Sequence, residues 1–300
     1  MSARFEFIDA EKDTTTPDGK RYPVVRMCGW LGVSHSGYYQ WLARPVSAGA
    51  ARRERLGLLA RKAFDDSGGT YGYRRVHAQL ARWGEQAGPE LVRALMRELD
   101  LVACQPRPHR ASLTEAGAAG PIPDLVNRDF TAAEPGAKMV GDITYIPTWQ
   151  GWLYLATVID CHTKEVVGYA MDDNYKTPLI SAAIEMAVRN HGLVSGAIFH
   201  SDRGSNYTSA EFAETLTGLG IRQSVGRTGS CYDNAMAESF FGTLKNELVH
   251  RTVYPTRQHA HRDIARYIEL HYNPRRLHSG LGYKTPREVR DEYLNRQVAA

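Results

Sequence analysis

The sequence is poor in cysteine, holds no long apolar run and carries little excess charge. Its four cysteines, Cys28, Cys104, Cys161 and Cys231, lie far apart with no C-x-x-C pair. That spacing argues against a zinc knuckle or a disulfide framework and fits reduced thiols in a cytoplasm. No stretch approaches the roughly eighteen consecutive apolar residues of a membrane span, and the N-terminus carries acids rather than an apolar core. No membrane partner is expected, and a cytoplasmic location is. The formal net charge of +4 permits a polyanionic partner without demanding one. What is present is a chain of 300 residues, 43% hydrophobic and 23% charged, enough for one large core and a smaller appended domain.

Residues 22–43, YPVVRMCGWLGVSHSGYYQWLA, predict two short helices separated by Gly32-Val33-Ser34, with Ser34 or Ser36 as an N-cap. That is helix-turn-helix grammar, and equally that of a plain helical hairpin packing its own aromatics. Further helices are predicted over residues 51–65 and 73–83 and from Pro89 onward, where Leu91, Val92, Leu95, Met96 and Leu99 recur at helical spacing. Arg74, Arg75 and Arg82 make this region basic, either as a solvated face or as phosphate contacts. Between residues 104 and 135 the pattern dissolves around Pro106, Pro108, Pro121, Pro123 and Pro135, which reads as a linker. The expected division is a helical, helix-turn-helix-like DNA-binding region at 1–103, the linker at 104–135, a catalytic core at 136–255 and a basic, aromatic extension at 256–300.

From Met139 the pattern becomes that of strands. MVGDITYIPTW, WLYLATVID and EVVGYAM form a meander, with a tight turn at Gln150-Gly151. Helices are expected at 177–190, 209–219 and 233–249, with strands at AIFH and at 222–225. The order βββ-α-β-α-β-α implies an α/β, mixed sheet with helices on its faces, as in a ribonuclease-H-like fold.

Three acids fall at distinctive places in that scheme. Asp142 interrupts a strand flanked by Val140, Ile143 and Ile146, where a carboxylate is costly unless paired or bound to a cation. Asp202 follows the apolar strand AIFH and precedes Arg203-Gly204, at the strand end where α/β sheets carry ligands. Glu238 lies in DNAMAESFFGTLKNEL, a helix that Asp233 is placed to cap. There Phe240, Phe241, Leu244 and Leu248 form the buried stripe, while Glu238 and Lys245 project within about 20° of each other on another face. Thirty-five residues separate Asp202 from Glu238. Oxygen ligands with room for water and phosphate suit Mg²⁺ or Mn²⁺ better than zinc, and two such ions serve phosphodiester chemistry. Asp160, at the end of the second strand, competes for a metal role or simply terminates the strand.

GDITYI, HSDRGSNYTS, CYDNAMAESFFGTLKNEL and YNPRRLHSGLGYKTP, together with RYPVVRMCGWLGVSHSGYYQWL and GTYGYRRVHAQL, resemble the second-frame product of the IS-three family of insertion sequences, within the retroviral-integrase superfamily. The resemblance extends over nearly the whole chain. It implies a DDE transposase: Asp142, Asp202 and Glu238 as a metal-binding catalytic triad, and Lys245 as a DNA contact. Asn206 stands where the family pattern has glutamine. Arg203, Asn206, Arg276, His278, Arg74 and Arg75 complete the expected DNA contacts; in the C-terminal motif, cations alternate with Tyr272, Leu277, Leu281 and Tyr283. The expected partners are double-stranded DNA, both terminal inverted repeats and target, and a second copy of the chain on that DNA. The resemblance also implies an upstream-frame partner carrying a helix-turn-helix and leucine zipper, fused by frameshifting. The rival readings are a hydrolytic nuclease of the same fold and a DNA-binding regulator with an inactive catalytic domain.

Overall fold

A computed structural model describes residues 2–17, 19–45, 47–104, 122–226 and 234–299. Most of the Pro-rich segment, Cys231 and Asp233 lie outside the described residues. The chain forms two compact units, Met1–Leu58 and Leu59–Ala300.

In the first unit, α1 (Ser2–Glu11), α2 (Val24–Trp30) and α3 (His35–Leu42) enclose a small core of Phe5, Ile8, Met27, Cys28 and Tyr38. The turn between α2 and α3 places Gly32 at φ 61°, and Ser34 caps α3 by accepting a hydrogen bond from the Gly37 amide. α1 has no counterpart in the sequence reading, because only Phe5 and Ile8 are buried on it, too short a stripe to show a period.

The second unit takes in the end of α4 (Ala48–Asp66), α5 (Tyr73–Arg82) and α6 (Pro89–Glu98). Ala60, Ala63, Val76, Leu80, Val92 and Met96 of these helices share a core with Leu277 of the C-terminal motif. The helices of residues 59–104, grouped by sequence with the N-terminal region, therefore belong to the unit that carries the sheet.

The sheet has five strands in the order β3-β2-β1-β4-β5. β1 (Lys138–Thr148), β2 (Gly151–Asp160) and β3 (Val166–Asp172) form the antiparallel meander, and β4 (Ile198–Ser201) and β5 (Arg222–Val225) add in parallel. Alternation sends Met139, Val158 and Phe199 to one face under α7 (Thr177–His191) and α8 (Ala210–Gly218). It sends Val140, Ile146 and Leu155 to the other, under α9 (Ala235–Glu247) and α10 (Arg257–Arg266). β1 pairs with β4 only from Lys138 to Val140, so beyond that point, among the described residues, its β4-side edge is open. Gly141 marks the place: a Cβ there would lie 2.2 Å from the Phe199 ring, which crosses over the strand. The C-terminal extension, read from sequence only as basic and aromatic, is largely helical: α10 continues into a π-helical turn, Tyr267–Tyr272, and α11 (Pro286–Val298) begins with a capping box between Thr285 and Glu288.

Candidate active site

Asp142 is the first side chain after Gly141 on the open edge of β1, and Asp202 directly follows β4. Each carboxylate accepts one short-range backbone hydrogen bond, Asp142 from the Ile143 amide at 2.7 Å and Asp202 from the Gly204 amide at 3.0 Å. Neither is in an ion pair among the described residues. Burial, with the charge of Asp202 and then that of Glu238, pushes the Asp142 carboxyl up to about 8. Burial also raises Asp202. Two half-buried carboxylates thus lie close enough for the charge of one to act on the other, an arrangement that a cation would relieve.

α9 brings up the other charged groups. Glu238 is exposed on it, and its charge reaches Asp142. Lys245 is half-buried, places Nζ 4.9 Å from the centre of the Tyr145 ring and adds a positive charge beside Asp142. The helical phase that set Glu238 and Lys245 on one side of the helix leads both toward the acid of β1. Among the described residues, no three His, Cys, Asp or Glu side chains are grouped closely enough to hold one metal ion. Asp142 and Asp202 are the gathered pair, and Glu238 is within electrostatic reach only.

Three further residues belong to the site and were missed from sequence. Thr157 stands opposite Asp142 in the antiparallel register, on the same face, with its hydroxyl buried and without a hydrogen-bond partner among the described residues. Asn234, at the start of α9, donates from Nδ2 to the Gly141 carbonyl at 3.4 Å, while its Oδ1 is buried and unpartnered among the described residues. Tyr207 is buried against Phe199 and Phe212, and its phenol is raised well above its usual value by burial and then by Asp142 and Asp202. Only the β1–β2 register could have exposed Thr157, and the other two are brought in by long-range packing. All-oxygen donors, two raised carboxylates and two orphaned polar oxygens fit a hydrated hard divalent cation.

The expected DNA contacts divide sharply. Arg74 is exposed, with Nε 3.3 Å from the Tyr73 hydroxyl. Arg75 is spent on the protein, donating to the Leu277 carbonyl at 3.0 Å and lying over the Tyr71 ring. Arg203 ties down its own loop by donating to the Gly226 carbonyl at 2.8 Å. Asn206 sits in the following turn, where its carbonyl accepts from the Ser209 hydroxyl at 2.7 Å. Arg276 corrects the sequence expectation: it is 4% exposed and donates to both Glu247 oxygens at 2.7–3.0 Å, so no phosphate reaches it in this fold. His278 is held neutral, its imidazole pushed down to about 4 by burial and the nearby Arg276, so it offers no positive charge to a phosphate. Asp160 ends β2 and ties down the turn that follows. Its carboxylate accepts from the amides of Gly136, His162 and Thr163 and from the Thr163 hydroxyl at 2.7–3.0 Å, a full set without a metal.

Models described as Integrase core domain match residues 132–231 and 219–286, and one described as HTH-like domain matches residues 51–109. That last likeness falls further along the chain than the helices at 22–43. The insertion element IS600 uncharacterized 31 kDa protein of Shigella sonnei is 39% identical, covering 91% of this chain and 100% of its own. The transposase for insertion sequence element IS904 of Lactococcus lactis is 37% identical over 82% of this chain and 97% of its own. The transposase InsF for insertion sequence IS3A of Escherichia coli is 33% identical over 91% and 96%. Among solved structures, the HTLV-2 integrase catalytic core domain in complex with magnesium is 18% identical, covers 53% of this chain and 98% of its own, and superposes with a TM-score of 0.41. No described helix is long and apolar enough to cross a membrane.

Proposed function

The chain belongs to the insertion-sequence transposases of the IS-three family, and on that premise we propose that Asp142, Asp202 and Glu238 are the acids of its active site. It is a DDE-type polynucleotidyl transferase with an integrase core, acting in DNA transposition and integration. The family's chemistry is divalent-metal dependent. Mg²⁺ is the ion, with Mn²⁺ as substitute, two per site, held by Asp142 and Asp202 with Glu238 as the third acid. When bound, the metal activates the attacking oxygen of water or a DNA 3′-hydroxyl and stabilises the leaving oxygen of the phosphodiester. The observation that carries this assignment is the meeting of Asp142 on β1 with Asp202 just after the neighbouring β4, with Lys245 of α9 beside Asp142.

The chain's own residues supply placement. Lys245 meets a phosphate next to Asp142, the fixed strands hold both aspartates, and Arg74 extends the DNA contact. In functional terms residues 136–255 carry the chemistry, and residues 1–103 and 256–300 bind or brace. The DNA is the element's terminal repeats and its target, engaged by more than one copy of the chain together with an upstream-frame partner.

Asp142→Asn, Asp202→Asn and Glu238→Gln each remove a charge at little change in volume, so each should abolish cleavage and joining with DNA affinity nearly intact. Calorimetric Mn²⁺ binding should weaken with the activity, and EDTA should silence the parent without rescue by Zn²⁺. Strand transfer near the parent rate in Mg²⁺ by any of the three would sink the assignment. Cutting without transfer to a 3′-hydroxyl would instead mark a nuclease.

A further inference from the structure

The β1–β2 hairpin carries aromatic side chains where a sheet face meets solvent. Tyr145 is 54% exposed and Trp152 48% exposed. They project from the same face, since Ile146, Leu153 and Leu155 between them enter the opposite core. Their rings pack edge to face, centroids 4.9 Å apart at 73°. Tyr154, directly across from Tyr145, continues the row to the exposed Tyr175 at 5.2 Å. Cross-strand aromatics often do no more than stabilise a hairpin. Here, however, Lys245 reaches from α9 to sit 4.9 Å over the Tyr145 ring, on the open edge of β1, while its charge acts on Asp142. One cation thus joins the aromatic face to the acids.

We propose that Tyr145 and Trp152 form a stacking surface for an unpaired DNA base next to the reacting phosphodiester. The inference rests on the transposase reading of the acid site. A base that leaves the stack beside a phosphodiester near a duplex end exposes its flat apolar faces to water at a cost. An exposed aromatic ring offsets that cost for any base, because every base has a π-face. Asp142 lies on the other face of β1, so a base laid on Tyr145 directs its phosphate round the strand edge, where Lys245 reaches from α9 to Tyr145 and its charge acts on Asp142. The occupant is therefore DNA, chosen by continuity with the acid site and by the positive charge at the rim.

The test uses the full chain and a short duplex of the element's terminal repeat, with 2-aminopurine beside the reacting phosphodiester. Asp142→Asn serves as background so that no DNA is consumed. Stacking should quench the probe. Added to that background, Tyr145→Phe should keep the quench, whereas Tyr145→Ala and Trp152→Ala should lose it. The alanine variants should also bind an end with unpaired bases about tenfold more weakly, with a smaller change for a fully paired end. Both side chains are half exposed, so unchanged circular dichroism is expected and serves as the folding control. A quench that survives both alanine substitutions would overturn the proposal. So would variants that bind DNA normally but sediment as smaller species, which would make this face a contact between copies. The acid-site reading is judged separately: strand transfer by Asp142→Asn alone would remove it, whereas a dead Asp142→Asn with quench independent of the rings removes only the stacking surface.

Discussion

A single carboxylate placed in a strand does two opposed things in this molecule. Asp142 is desolvated and faces the charges of Asp202 and Glu238, so the metal-free fold works against it. Thr157 Oγ1 and Asn234 Oδ1 add buried oxygens with no partner among the described residues. The same features that weaken the empty site make it receptive to a divalent cation. Asp142→Asn should therefore raise the thermal midpoint of the EDTA-treated protein in alkaline buffer, where all the carboxylates are ionised. Mg²⁺ should raise the midpoint of the parent and leave that of the variant almost unmoved. Calorimetric scans with and without Mg²⁺ check this, and an equal Mg²⁺ response in both proteins would deny Asp142 a place among the ligands.

At the scale of elements, the helix that carries Glu238 and Lys245 is fixed at its far end. Glu247 closes α9, accepts the Arg276 fork and takes a further hydrogen bond from the Tyr267 hydroxyl at 2.7 Å. These contacts, led by that fork, outweigh burial and hold the Glu247 carboxyl below its usual range. Next to Arg276, the Leu277 amide donates to the Tyr71 hydroxyl at 2.8 Å, and Arg75 donates to the Leu277 carbonyl. GTYGYRR and YNPRRLHSG thus clamp each other and, through Glu247, the helix of the site. Arg276→Ala leaves Glu247 buried without its cation and should cost about 3–5 kcal/mol in urea unfolding, without changing the salt dependence of DNA binding. Lys245→Ala should do the reverse, lowering the salt slope by about one phosphate contact at little cost in stability. A lower salt slope with full stability in the Arg276 variant would restore it as a DNA contact.

The same elements show what the sequence could and could not disclose. The meander, the α/β alternation and the places of Asp142 on β1 and Asp202 just after β4 were legible because a strand has a period of two and a helix one of 3.6. Glu238 and Lys245 were legible as neighbours on α9 for the same local reason. Arg276 was misread because its partner lies 29 residues away in the chain and an arginine among aromatics has the same pattern whether it is buried or free. Asn234 and Tyr207 were missed because packing alone brings them to the acids. α11 escaped notice because its apolar positions are few and it is held by ion pairs, Arg287 to the buried Glu165 at 2.9 Å among them.

At the scale of the whole molecule, two element ends must be held together before either is joined, and that calls for a device to pair copies of the chain. Among the described residues the longest helix, α4, has 19 residues, short of the roughly three to four heptads over which a coiled coil sustains its seam. The HTH-like match at 51–109 overlaps α5, whose Arg75 is already committed to the C-terminal motif, which leaves less of that region free to read bases. A partner with its own helix-turn-helix and leucine zipper, fused upstream, would add end recognition and raise the effective concentration of one catalytic core near the next. The fused protein should therefore join ends on a plasmid carrying both terminal repeats far more often than this chain alone. Cleavage of a single end should differ much less, since on the proposed assignment it draws on the acids and Lys245 alone. Counting end-to-end junctions by sequencing, with each protein expressed to the same level, makes the comparison. Equal junction frequencies would place recognition and pairing within these 300 residues and remove the need for the partner.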